Sequence, residues 1–300
     1  MPLTSIIIPT HDRPDLLPRA IASARLAGSE IEIVVVDDAS TDETSAVCAA
    51  FDDIVYVRLR ERAGVGGARA AGIAASSGTF ISFLDDDDAR LPGSIDRQLA
   101  VMEATPGAAV VYGQAHRATQ NFAINGRGPI PKVCPDGDVF WLLVARNFIP
   151  SCAAIVRRSV IDDVGGHCSE AAPADDWDLW LRIAEHHPIA VLPEPVSIYR
   201  EPTLWSKQGS SRLAEGLLNA EVRVLERCAR LVRAMENPRA YRTAARRMKN
   251  EIFLQLLAET VEAARSGDPY AFTAIRHVIA APASFFSPQV WRRFRERVAS

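Results

Sequence analysis

Apolar positions early in the chain form short unbroken runs, separated by longer stretches where they recur every three to four residues. The runs SIIIP (5–9), IEIVVVD (31–37), IVYVRL (54–59), FISFL (80–84) and AAVVYG (108–113) read as strands. Continuous β-branched runs of this kind suit strands buried on both faces. Between them lie helical patterns. In residues 14–28, Leu16, Leu17, Ala20, Ile21 and Ala24 share one face. STDETSAVCAAF begins with a polar cap, Ser40 or Thr41, with Glu43 close behind. Residues 64–78 form a small-residue helix suited to tight packing on a sheet, and residues 92–104 a further helix. Strand–helix alternation at this spacing predicts an α/β fold, a doubly wound and mostly parallel sheet.

Residues 114–150 are less regular and read as loops around a helix in DVFWLLVARN. A strand at 152–156, a helix near 158–164, a helix over 175–187 and two short strands around 189–199 follow. From about residue 207 the composition shifts to long helical stretches carrying 17 Lys/Arg against 9 Asp/Glu. The expected division is therefore 1–206, a ligand-binding α/β domain, and 207–300, a helical and basic C-terminal region.

The totals narrow the class. The chain has 300 residues and a formal net charge of −3, which argues against a general nucleic-acid binder. No apolar run approaches the roughly 20 residues that span a bilayer. The first ten residues lack the pattern of a signal peptide, so the expectation is a cytoplasmic protein. Five scattered cysteines, without a CxxC pair, suggest neither a disulfide framework nor a zinc site.

Ligands of open α/β sheets bind beyond the carboxyl ends of the strands. Here three of those ends are polar: PTHDR (9–13), DDAS (37–40) and DDDD (85–88). A strand-end aspartate often caps the next helix, and Asp37 and Asp38 fit that reading as well as a binding one. A cap needs one carboxylate, so the run of four points to a cation. Oxygen donors in this spacing favour Mg²⁺ or Mn²⁺, and such ions commonly bridge to a diphosphate. The Gly-rich stretch at 64–67 matches no phosphate-loop pattern and reads as a turn with close packing, although Arg69 beyond it can reach an anion. A second acidic group, Asp175 and Asp176, opens the helix DDWDLWLRIA, where it either complements the helix dipole or supplies a general base. The six histidines show no metal-site spacing, and His186 and His187 suit a helix end.

Taken in order, SIIIPTHDRPDLLPRAIAS, EIVVVDDASTDET, GGARAAGIAASSGTFISFLDDDD, NFIPSCAAIVRRSVIDDVGGHCSE and DDWDLWLRIA resemble a family 2 glycosyltransferase of the GT-A, Rossmann-like fold over about residues 3–200. The resemblance implies an inverting, Mg²⁺- or Mn²⁺-dependent transfer from a nucleotide-diphosphate sugar. It implies that Pro9, Thr10, His11 and Arg13 line a nucleobase pocket, with Asp38 accepting from a uracil N–H. It places Arg69 near the nucleotide, Asp85 and Asp86 at the ribose, and Asp87 on the metal. Asp176 falls on the presumed catalytic base, beside Asp175. His11 and Asp12 stand where the family has an aromatic–Asn pair, Asp175 where it has Glu, and GGHCSE where Gly-Gly-Phe-Asp-Glu is common. Glu201 stands where many relatives carry a metal-reaching His. The processive-synthase pattern Q-x-x-R-W is absent, which favours single-sugar transfer. The acceptor is expected to be a saccharide, a lipid-linked or a small molecule in cell-surface polysaccharide or glycoconjugate synthesis. The basic C-terminal helices are expected to pack in the protein or a homodimer, or to touch the inner face of a membrane, with 280–298 the candidate contact. The competing readings are a nucleotidyltransferase, disfavoured because PTHDRPD lacks a glycine, and a non-catalytic nucleotide-sugar-binding relative.

Overall fold

The computed structural model describes residues 4–201 and 222–266. Eight strands form one sheet in the order β3-β2-β1-β4-β7-β6-β8-β5. They are β1 (Thr4–Thr10), β2 (Ile31–Asp37), β3 (Ile54–Arg58), β4 (Phe80–Phe83), β5 (Ala89–Arg90), β6 (Val110–Ala118), β7 (Ala154–Arg157) and β8 (Ile189–Arg200). β3, β2, β1 and β4 run parallel, as expected of a doubly wound half. β7 enters antiparallel between β4 and β6, and β5 is antiparallel to β8, so the far half is mixed.

The helices are α1 (Leu17–Arg25), α2 (Thr44–Ala49), α3 (Gly64–Ala75), α4 (Ser94–Ala104), α5 (Phe140–Ala145), α6 (Arg158–Asp163) and α7 (Asp175–Ala184). Residues 222–228 are helical (α8), followed by α9 (Val232–Glu236) and α10 (Pro238–Ser266). Strand pleating divides the core in two. Ile6, Ile8, Ile33 and Val35 face α1 and α4 residues such as Leu17, Ile21, Ile95 and Leu99. Ile7, Val34, Val36 and Phe83 face the layer that holds α3, α5 and α7. The small residues of α3 serve this packing, because a Cβ on Gly72 would stand 2.3 Å from the Ile7 Cγ2.

Some elements differ from expectation. Helix α2 begins at Thr44, not at Ser40 or Thr41, because Asp42 Oδ1 accepts the Thr44 N–H at 2.9 Å. The two short strands expected at 189–199 are one strand, and its pairing with β6 shifts register around Gln114 to accommodate Pro193 and Pro195. The two-residue β5 carries no run for a sequence pattern to register.

The described C-terminal helices share the core of the α/β layer: Val224, Leu225, Cys228, Ala244, Ala245 and Met248 cluster with Trp177 and Trp180. In the sequence, Leu213, Leu217, Leu218, Val222 and Leu225 recur at near-helical spacing and predict one buried face; of these, Leu225 is buried and Val222 is exposed. Leu213, Leu217, Leu218 and the 280–298 segment lie outside the described residues. No helix among the described residues is long and apolar enough to cross a membrane.

Candidate active site

The polar strand ends meet because of register. β1 ends at Thr10 directly beside Asp37 at the end of β2, and Ile7 pairs with Phe83, so the chain leaving β4 enters the same edge as Asp85. Asp85–Asp88 then turn, with Asp88 N–H donating to the Asp85 carbonyl at 3.0 Å, and lead into β5. Three of the four carboxylates are buried.

Asp86 accepts from Thr10 Oγ1 at 2.7 Å and from Arg13 Nη1 at 2.8 Å. Arg13 also reaches Asp87 Oδ2 at 3.0 Å, and Arg200, from the end of β8, approaches the same oxygen at 3.3 Å. Asp88 accepts the Arg200 backbone N–H at 2.9 Å. Burial pushes Asp86 up to about 7, and the Asp87 charge adds to the rise against Arg13. Burial likewise raises Asp87, with Asp85 adding and Arg13 and Arg200 opposing. Asp88 is raised well above the ordinary carboxylate value by burial and then by Asp87 and Asp85. When all four are ionised, Asp85–Asp88 carry four negative charges against three contacting guanidinium groups, those of Arg13, Arg69 and Arg200.

That residue of charge and the donor type fit a hard divalent cation. Asp85, Asp87 and Asp88 each offer a carboxylate oxygen, all within 4.8 Å of one another. Oxygen-only donors suit Mg²⁺ or Mn²⁺. Glu201 accepts from Arg117 Nε at 2.6 Å and from Asn125 Nδ2.

Arg69 connects this cluster to the second acidic pair. Its guanidinium is buried, with Nη2 2.6 Å from Asp85 and Nη1 2.8 Å from Asp175. Burial disfavours its charge, but Asp85, Asp175 and Asp176 more than offset that and raise its pKa. Gly66, one turn earlier, lets α3 approach the backbone of Ser169, where a Cβ would stand 2.9 Å from its Cα. That approach brings the start of α7 to Arg69. Asp175 is fully buried, and burial alone would raise it, but Arg69 and His167 hold it below the ordinary value. His167 Nδ1 lies 3.1 Å from Asp175, its ring edge-on to Phe83, and burial lowers its pKa to about 4.

Asp176 is the less deeply buried member of the pair. Burial of its carboxyl and then the Asp175 charge raise it to about 7, against Arg69. Its oxygens meet the Trp177 N–H at 2.6 Å and Asn147 Nδ2 at 3.4 Å.

The end of β2 is built by backbone capture. Asp37 accepts from Ser40 N–H and Tyr56 Oη–H, both at 2.7 Å, which makes it a structural brace. Asp38 accepts from Ala63 N–H at 2.6 Å and Gly64 N–H at 2.9 Å, fixing the turn into α3. His11 Nδ1–H donates to the Asp38 carbonyl at 2.8 Å. Asp12 takes a positive φ of 50° and accepts the Thr41 N–H at 2.8 Å, which ties the two strand ends together. Pro9 stays within β1, opposite Val36.

The expected site residues thus form two linked groups, His11–Asp38 at the β1/β2 ends and Asp85–Asp88 with Arg13, Arg69, Asp175 and Asp176. Arg200, Asn147 and His167 were missed as members. Arg200 ends the IYR segment, which was a readable signal; Asn147 and His167 carry no local pattern.

The model of the family described as "Glycosyl transferase family 2" matches residues 5–165. A succinoglycan biosynthesis protein, ExoU of Rhizobium meliloti, is 30% identical over 189 residues, 59% of this chain and 55% of its own. The GalNAc(5)-diNAcBac-PP-undecaprenol beta-1,3-glucosyltransferase of Campylobacter jejuni is 36% identical over 119 residues, 38% of each chain. The chain spans 37% to 58% of the length of the first curated relatives it matches. In fold it is similar to S. aureus TarS 1–349, solved with UDP-GlcNAc, with a TM-score of 0.56 at 18% identity over 89% of this chain and 93% of that one.

Proposed function

Because the chain belongs to glycosyl transferase family 2, we propose that it transfers a sugar from a nucleotide-diphosphate donor to an acceptor hydroxyl, with inversion at the anomeric carbon. The observation that carries this reading is Arg69, buried between the Asp85–Asp88 cluster and the Asp175–Asp176 pair. It joins a diphosphate-and-cation site to a base site at one end of the sheet.

In this reading the nucleobase lies against Pro9, Thr10 and His11. Asp38 faces it with a carboxylate already fixed by two backbone N–H groups; a carboxylate has about four lone-pair sites, so it retains capacity for a uracil N3–H. Asp85 and Asp86 serve the ribose. Asp87, with Asp85 and Asp88 beside it, would hold Mg²⁺ or Mn²⁺. Such a cation, when bound, stabilises negative charge on the departing diphosphate. Arg69 contributes a fixed positive charge beside the same group, and a preorganised charge of this kind needs no rearrangement during reaction.

Asp176 takes the acceptor hydroxyl proton. The acceptor oxygen then bonds to the anomeric carbon as the bond from that carbon to the diphosphate oxygen breaks, and the nucleoside diphosphate leaves with the electron pair. A base raised to about 7 is matched to proton transfer near neutral pH. Asp175 acts through Arg69 as a positioning residue, since it is fully buried and bonded to it.

A uridine donor is favoured by Asp38 and by the UDP-GlcNAc bound to the structurally similar TarS. A saccharide acceptor carried on a lipid diphosphate is favoured by the named acceptor of the Campylobacter jejuni relative. The test is a panel of nucleotide-sugars assayed for donor hydrolysis with and without Mn²⁺. Cation-dependent hydrolysis of a UDP-sugar supports the reading. Tight GDP binding with no measurable UDP binding overturns the uridine assignment, and equal turnover in excess EDTA overturns the cation assignment.

A further inference from the structure

Helix α10 carries a charge asymmetry that the transfer reaction does not use. Residues 238–250, PRAYRTAARRMKN, contain five basic residues and no acid. Arg239, Arg242, Arg246, Arg247 and Lys249 are all exposed. At 3.6 residues per turn, Arg239, Arg242, Arg246 and Lys249 fall within a stripe about 80° wide. Ala244 and Met248 lie on the other side of the helix and, with Ala245 at the edge of the stripe, are buried in the core. The chain as a whole carries a net charge of −3, so the basic character is local to this side. Just before α10, the short helix α9 leaves Val232 and Met235 about half exposed.

The position of α10 connects this face to the site. α10 packs on α5, and α5 packs on α7. Asn147, two residues beyond α5, reaches Asp176 at the start of α7. Two helix packings thus connect the basic helix to the helix that carries the base.

We propose that the exposed face of α10 is a docking surface for an anionic lipid bilayer, holding the base side of the active site toward the membrane. A planar anionic surface complements the charge of this stripe, which holds no acid over residues 238–250. The stripe has no aromatic side chain on which a nucleic-acid base could stack, which disfavours single-stranded nucleic acid. Each Lys or Arg brought near an anionic bilayer strengthens binding roughly fivefold, and the effect decays within a Debye length. The attachment is therefore reversible and salt-sensitive. The proposal rests on the glycosyl-transfer reading only for what the membrane would present, a lipid-linked acceptor.

The test is co-sedimentation of the full chain with vesicles of phosphatidylcholine alone or with 30% phosphatidylglycerol, which is read without turnover. A failure here therefore leaves the donor assay unaffected. The wild type is expected to bind only the anionic vesicles and to be released by added salt. Arg239→Gln/Arg242→Gln/Arg246→Gln should weaken binding on the order of 100-fold with an unchanged thermal melt, because all three side chains are exposed. Arg60→Gln, an exposed arginine in the loop after β3, should bind as wild type. Equal binding to neutral and anionic vesicles, or undiminished binding of the triple variant, overturns the proposal. A salt-sensitive dimer by light scattering, lost in the triple variant without any vesicle binding by the wild type, would assign the face to a second copy instead.

Discussion

Replacing Asp175 with alanine tests whether the buried ion pair organises both halves of the site. Asp175 is fully buried and accepts Arg69 Nη1 at 2.8 Å, while Arg69 is itself buried. Stranding one charge of such a pair costs about 3–5 kcal/mol. Arg69 keeps its bond to the partly exposed Asp85, which puts the expected loss at the lower end, about 3 kcal/mol by that same rule. The variant should also change the chemistry. After burial, the Asp175 charge is the largest cause that raises Asp176, and Arg69 opposes it. Removing Asp175 lowers the Asp176 pKa, so the base form persists to lower pH. The acid limb of kcat/KM, which reports the free enzyme and is expected near pH 7 in the wild type, should move down. Equilibrium denaturation of Asp175→Ala, Arg69→Met and the double variant gives the coupling, expected at about 2 kcal/mol for groups in direct contact. A coupling under about 0.5 kcal/mol, or an acid limb that stays in place, would refute the linkage.

Gly72→Ala should destabilise by about 1–3 kcal/mol through overpacking, since its Cβ would meet Ile7 on β1; chemical denaturation measures this, and an unchanged midpoint contradicts the packing account. Asp87→Ala should remove most divalent-ion-dependent turnover while leaving the melting temperature unchanged or higher, because one of several crowded carboxylates is gone. Full turnover in that variant would exclude Asp87 from the cation site.

The parallel half of the sheet was legible because its strands are unbroken β-branched runs, as in IEIVVVD, and because small residues marked α3 as a packing helix. The mixed half was less so. β5 is two residues long and is defined by its pairing with Ser197 and Ile198, which local sequence does not encode. Pro193 and Pro195 suggested a break in β8, yet a register shift against β6 absorbs them. At the site, the types and order of residues pointed to the chemistry, but not to which carboxylate of a pair faces solvent. Asp175 and Asp176 look alike in sequence; the approach of α3 at Gly66 buries the first fully against Arg69, while the second is less deeply buried. Asp38 fitted a cap of the next helix, yet the N–H groups it holds are those of Ala63 and Gly64 at the start of α3, beyond α2. Arg90 was not singled out at all. It is buried, has no carboxylate partner among the described residues, and is held by Gln98, Ser82 and the Ala154 carbonyl, so it braces β4, β5 and β7 beside the acidic turn.

The central claim is that Asp176 is the base of a glycosyl transfer whose donor is bound by separate residues. The most direct measurement is Asp176→Asn, with turnover by transfer assay and donor affinity by titration calorimetry on the same preparation. The account predicts a fall in turnover of about 10²–10⁴-fold, the range for a lost general base, with donor affinity unchanged. Donor affinity collapsing alongside turnover, or turnover preserved, would contradict it.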